Sequence, residues 1–114
     1  MTTIYLTEPP PSVNRMFANV PGKGRVKTRA YSAWRKTAMA EVMIQRPQKF
    51  LGRVDVTLRL PETVRGDGDN RLKATLDLIK IMRVIEDDSR LFVRKSSVEF
   101  APVPRTEIEI VRAA

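Results

Sequence analysis

The sequence predicts an α+β fold: a four-stranded mixed or antiparallel sheet covered by two main helices, in the order β-α-β-α-β-β. Three observations lead there. Val54, Val56, Leu58 and Leu60 alternate with Arg53, Asp55, Thr57 and Arg59, the cleanest period of two in the chain and the pattern of a strand with one buried face. Tyr31, Trp34, Ala38 and Val42 recur at helical spacing, as do Leu72, Leu76 and Ile79. Two further strand-like runs, Leu91 to Phe100 and Thr106 to Val111, close the chain.

The first strand is Thr3 to Thr7, with Ile4 and Leu6 on one face; Glu8 and the three prolines behind it end the run. From Pro9 to Arg29, prolines, glycines and cations predict a long irregular segment, and such a stretch in a compact domain is functional or mobile. Following a chain of phosphates requires reachable cations rather than regular structure, so this segment is assigned to contact with a polyanion. The first helix runs for about 15 residues until Pro47 stops it. Trp34 lies on its apolar stripe, which favours core packing over a base-stacking platform.

After the alternating strand, Pro61 to Gly68 forms the turn into the second helix, Asn70 to about Met82. Its stripe of Leu72, Leu76 and Ile79 faces inward, while Asp69, Lys73, Asp77 and Lys80 line another side. The connection Ala101-Pro102-Val103-Pro104 is short, so the last two strands are expected to pair as an antiparallel hairpin, with Ile108 and Ile110 facing Val98 and Phe100 or their neighbours.

A chain of 114 residues is expected to be one domain, residues 1–114, small enough that a dimer interface would add stability. There is no cysteine and no histidine, which excludes disulfides, thiolate or imidazole metal sites and a histidine base. Catalysis must rest on carboxylates, lysine, hydroxyls or a metal. No apolar run is long enough for a membrane span and the N-terminus lacks a leader pattern, so the default expectation is cytoplasmic with no membrane partner. The net charge is +8, and no acidic residue lies between Glu8 and Glu41, where Arg15, Lys23, Arg25, Lys27, Arg29, Arg35 and Lys36 fall. That concentration is the footprint of a polyanion binder.

Against this basic background, Asp67-Gly68-Asp69-Asn70 opens the second helix and Glu86-Asp87-Asp88 follows its end. Carboxylates two residues apart in a glycine turn can point at a common centre, and their oxygens suit a hard cation such as Mg²⁺. Lys73, four residues after Asp69, faces the same way and can offset their repulsion. An EF-hand is ruled out, since its sixth and twelfth positions hold Leu72 and Leu78. A helix cap accounts for Asp69 alone, and an i,i+4 ion pair with Asp69 or Asp77 accounts for Lys73; neither accounts for Asp67, Asp87 and Asp88.

Gly66-Asp67-Gly68-Asp69-Asn70-Arg71-Leu72-Lys73-Ala74, then Asp77, then Glu86-Asp87-Asp88, resembles the RusA family of Holliday-junction resolvases. Pro9-Pro10-Pro11-Ser12-Val13-Asn14-Arg15 also resembles that family's opening segment. The resemblance implies a RusA-like fold, bacterial or phage-encoded, and a Mg²⁺-dependent endodeoxyribonuclease, with Mn²⁺ a possible substitute. As a homodimer it would resolve four-way junctions by paired symmetric nicks in DNA recombination and repair. By that resemblance Asp67, Asp69 and Asp88 are metal-binding and catalytic, Asp87 is a fourth ligand or a partner of the ligands, and Lys73 is functional. The candidate DNA contacts are Asn14, Arg15, Lys23, Arg25, Lys27, Arg29 and Lys73.

The motif helix is on the order of 20 Å long, so Asp69 and the Asp87-Asp88 pair begin at opposite ends of it. Bringing them together in one chain requires residues 83–88 to run almost straight back. Two helices packed antiparallel across a dimer twofold would remove that demand, which raises the expectation of sites shared between subunits. The rival reading is a basic, non-catalytic DNA-binding protein whose acidic clusters only brace one helix.

Overall fold

A computed structural model describes residues 1–114. The strands are β1 (Thr2–Leu6), β2 (Phe17–Val20), β3 (Gly24–Lys27), β4 (Val54–Pro61), β5 (Val93–Ala101) and β6 (Thr106–Arg112), and the helices are α1 (Arg29–Gln45) and α2 (Leu72–Ile81). Short 3-10 turns at Val13–Arg15 and Asp69–Arg71 precede β2 and α2. Four strands make one mixed sheet in the order β1-β6-β4-β5, while β2 pairs only with β3. The α+β class expected from the sequence is the one observed, with a small second sheet added.

β4 takes a central place, bonded antiparallel to β6 on one side and parallel to β5 on the other. Its Val54, Val56, Leu58 and Leu60 share one sheet face with Ile4, Leu6, Ile108 and Ile110, and that face packs against Ala38 and Val42 of α1 and Leu78 and Ile79 of α2. Burying each side chain of this size contributes about 1.5–3 kcal/mol, so this layer is the principal source of stability. The opposite face is charged and solvated. There Arg59 bridges Glu99 at 2.5 Å and Glu107 at 2.9 Å on the two flanking strands.

Two expectations are corrected. The first is the terminal hairpin: β5 and β6 do not pair, because β4 lies between them. Ile108 faces Leu58 and Ile4, whereas Val98 and Phe100 face Leu58 and Leu60. The linker between β5 and β6 reaches about 13 Å when extended, enough to cross one intervening strand at two spacings of about 4.8 Å. The strand that is apolar along one whole face wins the centre, while β5, with exposed Arg94, Lys95 and Glu99, suits an edge.

The second is the segment Pro9 to Arg29, which is not irregular throughout. β2 and β3 form an antiparallel hairpin running from the pair Phe17 and Lys27 to the pair Val20 and Gly24. In its turn the Lys23 N–H donates to the Val20 carbonyl at 3.0 Å, and Gly22 has φ +78°, as a type II turn with Pro21 before it requires. Strands this short and exposed carry too little apolar alternation to be seen as strands. The hairpin base is fastened to α1 by Thr28. Its N–H donates to Met16 O at 2.9 Å, and its hydroxyl donates to Arg15 O at 2.6 Å and caps the helix by accepting from Tyr31 N–H at 3.1 Å.

Candidate active site and nucleic-acid interface

The chain leaves the carboxyl end of β4, turns at Pro61, and reaches Asp67 and Asp69 at the amino end of α2. Gly68 is buried between two exposed aspartates, and its carbonyl accepts from Arg71 N–H at 2.9 Å. The Arg71 guanidinium donates to Pro10 O at 2.6 Å and to Arg65 O at 3.2 Å, tying the triproline segment to the acidic turn. Its Nε is buried without a partner. Burial first, and then the nearby Arg15, lower its pKa from the usual guanidinium value. Arg15, Arg65, Asp67, Asn70 and Arg71 line one cleft of about 330 Å³ with no hydrophobic wall. A phosphate would meet three guanidinium groups beside one carboxylate there.

At the other end of α2, Arg83 adopts the left-handed conformation at φ +59°, and Val84 and Ile85 N–H both bond back to Ile79 O. Val84 and Ile85 enter the core, and the Glu86 carboxylate accepts from Gly52 N–H at 2.6 Å, turned to a structural task. Lys80 Nζ lies 3.1 Å from Asp87 and 3.5 Å from Asp88. Its hydrogen bond holds the Asp87 carboxyl below the usual range, and the same bond raises the pKa of Lys80. Lys73 Nζ pairs with Asp77 at 3.1 Å, the helix-surface partner four residues on. Asp67 and Asp69 take part in none of these pairs.

The four candidate aspartates therefore stand as two pairs. No three acidic side chains of the chain gather in a way that would enclose a metal ion. At 1.5 Å per residue, Asp69 and Lys80 are separated by about 16 Å along the helix axis.

The candidate DNA contacts lie on the surface around the hairpin. Lys23 is in its turn, Arg25 and Lys27 are on β3, Arg29 begins α1, and Asn14 and Arg15 sit in the 3-10 turn; all are exposed. The Arg25 guanidinium rests 4.3 Å above the Phe17 ring, which limits its freedom. Met16, Tyr31 and Ala74 form a small second core, so the hairpin base docks on α2 at the residue after Lys73. Trp34 packs against both cores and donates Nε1–H to Glu8 O at 3.1 Å, in keeping with its place on the apolar stripe.

A family model described as Endodeoxyribonuclease RusA matches residues 7–111, nearly the whole chain and every candidate site residue named above. The chain belongs to the RusA family. No curated protein matches the sequence. Membership implies an endodeoxyribonuclease of the Holliday-junction-resolving kind, acting on branched DNA. No helix is long and apolar enough to cross a membrane.

By chemistry, the aspartates would suit a hard divalent cation such as Mg²⁺, since carboxylate oxygens are its natural ligands and one or two of them suffice when substrate phosphate supplies the rest. By position, one chain offers Asp67 and Asp69 at one end of α2 and a lysine-paired Asp87 and Asp88 at the other. The sequence reading passed over Arg65, Arg71 and Lys80. Arg71 stands inside the motif and Lys80 shares the face of Lys73 and Asp77, which were the available signals. Nothing in the sequence alone placed Arg65 in one cleft with Arg15.

Proposed function

We propose that this RusA-family chain is a divalent-cation-dependent, structure-selective endodeoxyribonuclease that binds four-way DNA junctions as a homodimer. It would make paired symmetric nicks during recombination and repair in the cytoplasm of a bacterium or phage-infected cell. The observation that carries the reading is the Asp67–Asp69 turn: two exposed carboxylates without ion-pair partners, of which Asp67 lines a cleft whose other charged walls are arginines. A merely bracing cluster would have its charges neutralised.

Asp67 and Asp69, with Asp88 and Asp87, are the residues that would hold Mg²⁺ or Mn²⁺; when bound, the ion activates water and neutralises charge on the phosphate. Arg15, Arg65 and Arg71 would draw the phosphodiester into the cleft and orient it beside Asp67. Lys73, released from Asp77, would add positive charge where the phosphate becomes more anionic. Lys23, Arg25, Lys27 and Arg29, with Asn14, would hold the DNA arms through backbone contacts.

Two nicks across a junction require two sites related by a twofold, which supports a dimer. We further propose that each site takes Asp67 and Asp69 from one chain and Asp87 and Asp88 from its partner. The separation of the two pairs along α2 supports that arrangement. The experiment is to bind a synthetic four-way junction in EDTA and then add Mg²⁺ or Mn²⁺, with flaps and duplexes in parallel. Binding in EDTA followed by nicking on metal addition, strongest on the junction, is the expected result. Binding with no nicking under any divalent condition would return the protein to the non-catalytic class.

A further inference from the structure

Resting on that nuclease reading, we infer that Gly68 is a positioning residue: its missing side chain lets the acidic turn lie directly on β5, and this contact sets where Asp67 and Asp69 stand. Gly68 has φ −68° and ψ −35°, so its backbone is open to any residue and conformational freedom is not the reason for glycine here. Space is the reason. A Cβ at this position would sit 2.4 Å from Val98 Cγ1, 3.3 Å from Val98 Cβ and 3.3 Å from Phe100 Cε2. The other four glycines would each meet nothing within 4 Å.

The obstacle cannot swing aside cheaply. Valine has two carbons on Cβ and a stiff χ1, and Val98, although on the edge strand β5, is held in the parallel ladder opposite Leu58 of the central strand β4. The turn is gripped on its other side as well. Arg71 N–H holds the Gly68 carbonyl at 2.9 Å, and the Arg71 guanidinium holds Arg65 O and Pro10 O. Pressed from β5 by an added methyl, the turn must move against that strap or break it. Since Asp67 and Asp69 are the two neighbours of Gly68, both carboxylates move with it. A displacement of about 1 Å at such a site costs on the order of 10²-fold in rate.

The test is a cycle of Gly68→Ala, Val98→Ala and the double variant, in the full chain. Four properties are read: amide chemical shifts of residues 65–71, junction affinity in EDTA, Mn²⁺ affinity of the junction complex by paramagnetic resonance, and nicking. Gly68→Ala is expected to shift the turn amides, weaken Mn²⁺ binding and nicking at least 10-fold, and change junction affinity in EDTA by no more than about 3-fold. Val98→Ala, which opens space without pressing on the turn, should cost a few-fold. The double variant should recover most of the lost Mn²⁺ affinity and nicking, because the Cγ1 that excluded the new methyl is gone.

Unchanged turn amides and Mn²⁺ affinity in Gly68→Ala would overturn the inference, as would a folded double variant no better than Gly68→Ala. If Gly68→Ala fails to fold, the double variant decides: recovery of fold and nicking supports the contact with Val98, and failure overturns it. A wild-type protein that neither binds Mn²⁺ nor nicks would sink the nuclease reading. In that event Gly68 is still judged as the seat of the turn, by the amide shifts alone.

Discussion

The two ends of α2 carry the same kind of residue in opposite electrostatic states. At the amino end, Asp67 and Asp69 flank a glycine, face solvent and have no counter-charge from a side chain of their own helix. At the carboxyl end, Asp87 and Asp88 are bound to Lys80 at 3.1 and 3.5 Å. Composition and spacing are nearly alike, so the difference is one of surroundings. The first pair is held in place through its backbone, by β5 on one side and Arg71 on the other, and its carboxylates are left unengaged. The second pair is held through its carboxylates. In the proposed metal site, a pair restrained by its backbone would be ready to take a cation, whereas a pair restrained by its charges would have to exchange a lysine for one.

The largest expected effect breaks the amino-end pair. Asp67→Asn or Asp69→Asn should lower nicking by about 10²-fold or more while junction binding in EDTA is kept or tightened, because a ligand and a negative charge near phosphate are lost without a cavity. Asp88→Asn should behave alike. Binding lost in parallel with nicking in all three variants would make both ends structural and erase the contrast.

A mixed dimer of Asp69→Ala and Asp88→Ala chains, each inactive as a homodimer, asks whether the two ends meet across a twofold. Sharing puts both lesions in one site and leaves the other intact, so nicking of one strand should return. Verified mixed dimers that stay silent would confine each site to one chain.

Replacing Lys23, Arg25, Lys27 and Arg29 with alanine should weaken binding to every DNA tested and lower the salt slope by up to about 0.9 per lost phosphate contact. An unchanged slope would show that the hairpin turns away from DNA and leave the Arg15–Arg71 cleft as the main contact.

Lys80→Met should release the carboxyl-end pair. The surface setting limits the gain in Mn²⁺ affinity to about two- to five-fold, read by titrating the junction complex. No gain would mean that Lys80 does not compete with the metal.

The smallest effect concerns the middle of the helix, where Tyr31 lies near Asp77, Lys73 and Arg35. Burial first, and then the charge of Asp77, raise its pKa from the ordinary tyrosine value. Its contribution to stability is thus complete below about pH 10 and is lost as pH rises through the higher folded value. In a Tyr5→Phe background, where Tyr31 is the single tyrosine, tyrosinate absorbance should appear later than for a free tyrosine. Ionisation at the ordinary value would show that burial and Asp77 together do not outweigh the neighbouring Arg35 and Lys73.

Much of this was legible beforehand, for reasons particular to each element. β4 alternates without a break and α2 repeats its stripe, so both elements could be read locally, and the family motif named the aspartates and Lys73. The hairpin was hidden by the brevity of β2 and β3, although Pro21-Gly22 marked its turn. The pairing of β5 was misjudged because a short linker favours, but does not compel, adjacent strands. Arg65 and Arg71 escaped notice because Pro10, whose carbonyl Arg71 bonds, and Arg15, which lines their cleft, lie far away in sequence.

By itself the sequence determined the class, the central strand, the two helices, the basic N-terminal surface and the family, since periodicity, charge and motif spacing are properties of neighbours along the chain. Only the tertiary structure decided that β4 would separate β5 from β6, that Arg71 would tie Pro10 to the acidic turn, that Gly68 would lie on Val98, and that Lys80 would claim one acidic pair and leave the other open. Each of these depends on which distant groups come within a few ångströms of one another. That is settled by competition for the buried sheet face and for hydrogen-bond and charge partners across the whole chain.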